Sequence, residues 1–472
     1  MRGFKQIPGP RAYPVIGNAL GYTAPGVGRD ASQSPRIWKY LNETYGSIVR
    51  LEFPKMAPTI LVFDPQVAEQ VYRQEGECPM RPAFFSLREA KMRNKEPSSL
   101  QGVLTSNGED WRSFRKKVQQ QLLQDKHIAS YKSLIIKISK EFTDRISVIV
   151  KEDGIVDDFN NEMYKWALES IGAIVLDRRF GCLDREENEE AVVMIELVQK
   201  ILKENKALDS GFRLWEHLPS TEFDQFYSSY KDFFDTARRF ITEALEDTNT
   251  FERRSLISDL AKAGCDEQTI LSMASDLLFG GVDTTSHSVI FALYLLATNK
   301  EKQDKLAHEL NSNNLDQNIL LNSPYLNAVM KECLRMMPPA LGNMRQINKS
   351  IELHPKDCTH TYKTEQCTNY ILAHQTMARS EKWVNEPLEF RPERWLRDCS
   401  QYEKIHPFVS LPFGFGKRMC IGRKISKMEM LSLVVQVISR FRVGWRGGPL
   451  QIKSDTLIYP DGPLNFTFTE RT

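Results

Sequence analysis

The feature that most constrains this 472-residue chain is a ten-residue stretch near its end, Phe413-Gly-Phe-Gly-Lys-Arg-Met-Cys-Ile-Gly422. Gly414, Gly416 and Gly422 permit tight bends and close approach of the backbone to a flat ligand. An apolar, helix-like run follows Cys420 at once and reads as a last helix from Cys420 to about Arg440. The chain must therefore present one cysteine, preceded by Lys417 and Arg418, from a glycine-bent loop at the head of a long helix. A lone cysteine is most often a buried structural residue. That explains the sulfur but not the glycines, the cations and the phenylalanine around it.

Such a loop suits a thiolate held as an axial ligand to haem iron. Amide N–H groups in the bend can point at the sulfur and set how much electron density it gives to the metal. Phe413 can cover the sulfur, and Arg418 is placed to meet a haem propionate. The pattern Phe-x-x-Gly-x-Arg-x-Cys-x-Gly resembles the haem-thiolate signature of the cytochrome P450 monooxygenases, and four further motifs follow the family's order over nearly the whole chain. The resemblance implies a mainly α fold over residues 1–472: one large helical domain with a small β-rich part near 40–65 and 340–375. It also implies haem b between a long central helix and the C-terminal helix, with O2 as co-substrate.

Composition narrows the alternatives. Hydrophobic residues make up 41% of the chain, enough for a substantial core. The formal net charge is +2, far from the strongly basic balance of a nucleic-acid binder. Eight cysteines lie scattered with no C-x-x-C spacing, so neither a zinc site nor a disulfide framework is indicated. The longest apolar run, Val289–Ala297, is shorter than the ~20 residues a bilayer span needs. No Arg-rich amphipathic presequence precedes Ile7-Pro-Gly-Pro10.

Along the chain, Gly46–Glu52 and Thr59–Phe63 read as a β-hairpin pair, and Asp64-Pro65 as the capped start of a helix. Residues 80–105 read as an irregular basic loop, matching the family's loop over the substrate pocket. A helix opens at Asn107–Trp111. Amphipathic helix is expected over most of 130–260, weakening near 205–225. Asp266 is expected to cap a helix reaching about Thr298, roughly 50 Å long. Helix 324–337 ends at Pro338-Pro339, residues 340–375 alternate like strands, and 380–412 are irregular.

Within the long helix, Gly280-Gly-Val-Asp-Thr-Thr285 is a poor helix interior. The glycine pair removes side chains, and a threonine hydroxyl bonding one turn back can bend the helix. A groove wide enough for dioxygen would result, with Thr284 as hydrogen-bonding partner of the reacting oxygen and Asp283 bringing protons in. His287, one turn on, reads as an ordinary core or surface histidine. Glu332-x-x-Arg335 shares a helix face; the resemblance implies that it joins Arg394 in a buried structural cluster. It also implies that Trp111, Arg115 and Arg345 bind haem propionates, with His406 a further approach.

No phosphate-binding glycine motif and no iron–sulfur spacing is present, so electrons must come from a partner. Arg423, Lys424 and Lys331 match basic residues with which the mitochondrial branch of the family docks an acidic ferredoxin. The position four before Lys331, usually lysine, is Asn327. The resemblance thus implies an adrenodoxin-like [2Fe-2S] ferredoxin, its NADPH-dependent reductase, a mitochondrial location and an apolar steroid substrate, and it allows peripheral membrane association. Segments such as Glu77-Cys-Pro-Met-Arg81 and Gly102–Trp111 are similar to the arthropod ecdysteroid 22-hydroxylases, and Gly416–Gly422 also to vitamin D 24-hydroxylases. A haem-thiolate isomerase working without external electrons would tend to lose the acid–alcohol pair, which Asp283-Thr284 retains.

Overall fold

The structure is a computed structural model. It describes all residues except 19, 27–29, 54–55, 95–100, 185, 187, 210–212, 247–254, 312–320, 455 and 472. Strand β1 (Arg2–Gly3) and helix α1 (Ser34–Tyr45) precede the hairpin of β2 (Ile48–Leu51) and β3 (Thr59–Val62). Asp64 then starts α2 (Pro65–Arg73). Pro65 pre-sets the first helical turn, and the Asp64 carboxylate accepts the Gln66 and Val67 amides at 2.8 and 3.3 Å.

The segment 80–105 departs from the irregular loop expected of it. Its described residues hold two helices, α3 (Phe85–Arg93) and α4 (Gly102–Thr105), and 95–100 lie outside the described residues. No side chain of its own caps α3. Asp209 does so from far along the chain, accepting the Phe85 and Ser86 amides at 2.7 and 2.9 Å. At the other end, Lys91 forms a buried ion pair with Asp276 at 2.9 Å. Asp276 also accepts the Leu104 amide at 3.1 Å. A tertiary cap leaves no local sequence trace, which is why the spacing of residues there does not announce a helix.

Helices α5 (Gly108–Leu123), α6 (Asp125–Ile149), α7 (Phe159–Leu176), α8 (Glu189–Asp209), α9 (Thr221–Glu246) and α10 (Leu256–Lys262) lead to α11 (Glu267–Thr298). Most are amphipathic as expected, but α7 is buried on every face. Helix α11 begins where Asp266 accepts the Thr269 amide at 2.8 Å, and spans about 48 Å through the centre of the large helical core. α12 (Lys300–Asn311) and α13 (Pro324–Met336) follow, the latter capped by Ser323 with Pro324 at its first position.

Strands β4 (Asn343–Ile347), β5 (Glu352–Leu353), β6 (Tyr362–Lys363) and β7 (Thr368–Leu372) precede a short helix α14 (His374–Ala378). One sheet has the order β2-β3-β7-β4, with β3 parallel to β7 and β4 antiparallel to it. Strand β3 is buried along its whole length, including Thr59 ahead of the apolar run Ile60–Val62. Its neighbours build the second apolar core, around Ile60, Val62, Tyr370 and Leu372.

The last helix, α15, runs Arg423–Arg440. It starts three residues later than expected, because residues 421–422 still turn and Gly422 is the cap. Strands β8 (Phe441–Trp445) and β11 (Phe466–Glu470) form one antiparallel pair, β9 (Ile452–Ser454) and β10 (Ile458–Pro460) another. No described helix is long and apolar enough to cross a membrane.

Candidate active site

Two glycines shape the cysteine loop: Gly414 and Gly416 have φ of 71° and 78°, in the left-handed region. Gly422 does not share this strain, with φ of −80°; what it offers is space, since a Cβ there would touch nothing within 4 Å. The Cys420 amide donates to Phe413 O at 2.9 Å, closing the loop on the phenylalanine, which itself packs against the helical core. Burial pushes the Cys420 thiol up from its ordinary value, while the Gly422 N–H, Arg115, Arg81 and Arg423 act the other way and favour the thiolate. The cysteine nevertheless carries accessible surface. A side chain that is surrounded by protein and still accessible faces an interior hollow.

Helix α11 opens onto free space in the same way. Gly280 is exposed although Leu278 and Val282 on the same helix are wholly buried, and a Cβ at 280 would meet nothing within 4 Å. Gly281 differs: its Cβ would come 3.0 Å from Ile171 Cγ1, so this glycine serves the packing of α7 against α11. Thr284 Oγ1 donates to Gly280 O at 2.7 Å, the back-bond expected from the sequence. Asp283 is buried with Oδ1 unpartnered, and burial alone pushes its carboxyl up to about 7.

A set of arginines surrounds the cysteine loop. Arg418 donates to Pro79 O at 2.8 Å, Asn107 Oδ1 at 2.9 Å and Ser106 O at 2.6 Å, and its guanidinium lies 5.0 Å from the Trp111 ring centroid. Arg115 donates to Met419 O at 3.0 Å. Arg345 is carried by β4 to the loop, where it donates to Phe415 O at 3.3 Å. Arg345 is not free, however: its Nε donates to Glu75 Oε2 at 2.6 Å. Arg81, which closes the segment Glu77–Arg81 and carries no role by sequence alone, belongs to the same group. Burial and then Arg81, Arg345 and Arg115 push the Arg418 guanidinium down from its ordinary value. An arginine keeps its proton, so Arg418 is a buried cation with three further guanidiniums acting on it. Glu75 is a carboxylate set against this charge; Asp276, which also acts on Arg81, is already paired with Lys91.

Four buried N–H groups here have no partner among the described residues: Arg81 Nε, Trp111 Nε1, Arg115 Nε and Arg418 Nε. Buried donors are rarely left orphaned. Orphaned donors, excess positive charge and a sulfur facing a hollow suit a flat ligand with two carboxylates and a metal that takes a thiolate. Haem fits that description.

The Cytochrome P450 family profile matches residues 7–468. The chain belongs to the cytochrome P450 family. It is a haem-thiolate monooxygenase, with the mainly helical fold described above. The P450 is 31% identical to a probable cytochrome P450 49a1 of Drosophila melanogaster over 100% of its own length and 83% of that relative. It is 31% identical to a probable cytochrome P450 301a1, mitochondrial, of the same fly over 99% of its length and 87% of the relative. It is 30% identical to the 25-hydroxyvitamin D-1 alpha hydroxylase, mitochondrial, of Rattus norvegicus over 88% of its length and 85% of the relative. These similarities place this P450 with the mitochondrial-type members.

Glu332, Arg335 and Arg394 are brought together with no exposed side-chain surface. Glu332 accepts two bonds from Arg335 at 2.8 Å, one from Arg394 at 2.9 Å and one from Trp395 Nε1 at 2.9 Å. His406 lies 3.6 Å from Glu69 rather than reaching toward the arginine cluster. Among the basic residues, Lys424 is engaged internally, 2.6 Å from Asp125. Lys427, which no sequence motif singles out, is exposed; its ammonium is pushed down by burial and then by Lys331 and Arg423. Asn327 donates to Ser323 O at 2.9 Å and so serves its own helix.

Proposed function

We propose that Cys420 is the thiolate ligand of haem b, and that Arg81, Trp111, Arg115 and Arg418 hold its propionates. Arg345, fixed by Glu75, adds positive charge to the same side, and Phe413 covers the sulfur. The observation that carries this reading is the set of orphaned buried donors around a sulfur that faces a hollow. When bound, haem supplies the one-electron and dioxygen chemistry that no side chain has. The rest is done by α11. Gly280 keeps the hollow clear, Thr284 holds a hydroxyl beside it, and Asp283, with a carboxyl near 7, can hold or release a proton close to neutral pH.

The substrate we propose is a steroid, an ecdysteroid precursor hydroxylated at an unactivated C–H bond. Similarity of local segments to ecdysteroid 22-hydroxylases supports this, and similarity to a vitamin D hydroxylase supports the wider sterol class. The proposed location is mitochondrial, as the names of several relatives suggest. The test is turnover of ecdysteroid precursors and vitamin D compounds with product masses and hydroxylation sites read out. Conversion of neither class would overturn the substrate reading.

The proposed donor is an adrenodoxin-like ferredoxin reduced by its NADPH-dependent reductase. Its docking face is Arg423, Lys331 and Lys427, with Lys424 paired to the exposed Asp125. Lys427→Glu is expected to raise the KM for ferredoxin roughly tenfold at low salt, with kcat little changed and the difference shrinking as salt screens the interface. Unchanged ferredoxin kinetics, or better turnover with a microsomal flavoprotein, would contradict the proposal.

A further inference from the structure

Helices α7 and α11 share a polar seam of which the haem-thiolate reading uses Asp283 alone. Asn160 and Tyr164 lie one turn apart on α7, and Asp283 and His287 one turn apart on α11. Asn160 Nδ2 donates to the Tyr164 hydroxyl at 3.2 Å, and that hydroxyl lies 2.7 Å from His287 Nε2. The Asn160 amide N–H can only donate, so Tyr164 oxygen accepts from it. We assign the phenolic proton to His287 Nε2, the acceptor left to it, and with it the imidazole proton to Nδ1.

Nδ1 is one of the buried atoms with no partner, and so is Asp283 Oδ1. An orphaned donor and an orphaned acceptor thus stand one turn apart on the same helix. The ring cannot easily turn away. It is held between Tyr164, Phe291 and Tyr459, with centroids 5.5, 6.3 and 6.5 Å distant. Asp283 and Tyr164 share this neighbourhood, since the Asp283 charge adds to burial in raising the Tyr164 phenol. The other titratable groups acting on Tyr164 are Asp158 at the start of α7 and Tyr459 on β10. Glu162 and Lys165 of α7 are paired with each other, and Glu162 also with Arg145.

We propose that His287 is a positioning residue for Asp283: its Nδ1–H, aimed by Tyr164 and backed by Asn160, meets the Asp283 carboxyl across a gap that one water bridges. The donor stabilises the carboxylate form and turns it toward the imidazole between proton transfers, so that the acid neighbouring Thr284 resets to one defined state. This inference rests on the haem-thiolate reading above.

The test compares His287→Leu, which removes the N–H, with His287→Gln, which keeps an amide donor, and Tyr164→Phe, which frees the tautomer. Each variant is first reduced under carbon monoxide; a red-shifted Soret band in wild type and variants shows that the haem site is intact. The Asp283 carboxyl is then titrated by its protonated C=O band in infrared difference spectra, with Asp283→Asn to assign it. A hydrogen bond to the charged form lowers a carboxyl, so its loss moves the midpoint upward. His287→Leu is expected to shift it up by about one pH unit, Tyr164→Phe by less, and His287→Gln back toward wild type. The alkaline limb of the product-per-NADPH profile should follow. An unmoved midpoint in both His287→Leu and Tyr164→Phe would overturn the proposal. Absence of the red-shifted band in wild type would instead overturn the haem-thiolate reading.

Discussion

Replacing Cys420 by serine is expected to leave a folded protein whose reduced, carbon monoxide-treated form shows no red-shifted Soret band. Turnover should fall by more than the ~100-fold that loss of an outer partner costs at a metal site, because the ligand itself is gone. The fold should survive. The Cys420 side chain fills no packed niche but faces a hollow, and the loop is shaped by the Gly414 and Gly416 turns and by the amide bond to Phe413 O. Far-ultraviolet circular dichroism and the melting temperature of the haem-free protein test that half of the expectation. A serine variant with an unchanged pigment and full oxygen insertion would remove the basis for everything assigned to the loop.

The second large effect is expected at Glu332→Ala. Its carboxylate bridges two guanidiniums, Arg335 and Arg394, both with fully buried side chains. It also holds the Arg391 amide at 3.1 Å and the Trp395 indole. Removing it leaves Arg335 with no carboxylate and Arg394 with Glu403 alone, and breaking a buried pair in this way typically costs about 3–5 kcal/mol. The segment fastened by these bonds, 385–403, precedes the cysteine loop, so the loss should appear as failure to retain haem. Haem content below about a tenth of wild type is expected, measured as the Soret-to-protein ratio, which such an energy easily covers. Glu332→Gln, which keeps the shape but not the charge, should fall between. A purified alanine variant with a full complement of haem would show that the cluster does not govern the site.

What is legible in the sequence is local. Cys420 and its glycines, the Asp283-Thr284 pair and Glu332-x-x-Arg335 each lie within ten residues, and helical or turn geometry fixes how such neighbours face one another. The Asp64 and Asp266 caps are readable for the same reason. What stays hidden depends on partners far apart in the chain. Arg345 meets Glu75 across 270 residues, and Lys424 meets Asp125 across 299. No spacing rule reveals that either cation already has a carboxylate partner. Lys427 escapes notice because its significance lies in the repulsion it shares with Lys331, on another helix. Helix α3 reads as loop because its N-terminal amides are satisfied by Asp209 rather than by a residue of its own.

That same helix is moored at both ends, by Asp209 at the start and by the Lys91–Asp276 pair near the finish. Asp276 lies on the very helix that carries Thr284 about two turns further on. Any molecule travelling between α3 and α11 would have to pull apart a pair of charges shielded from water, so traffic by that route would be timed by an electrostatic catch rather than by the width of an opening.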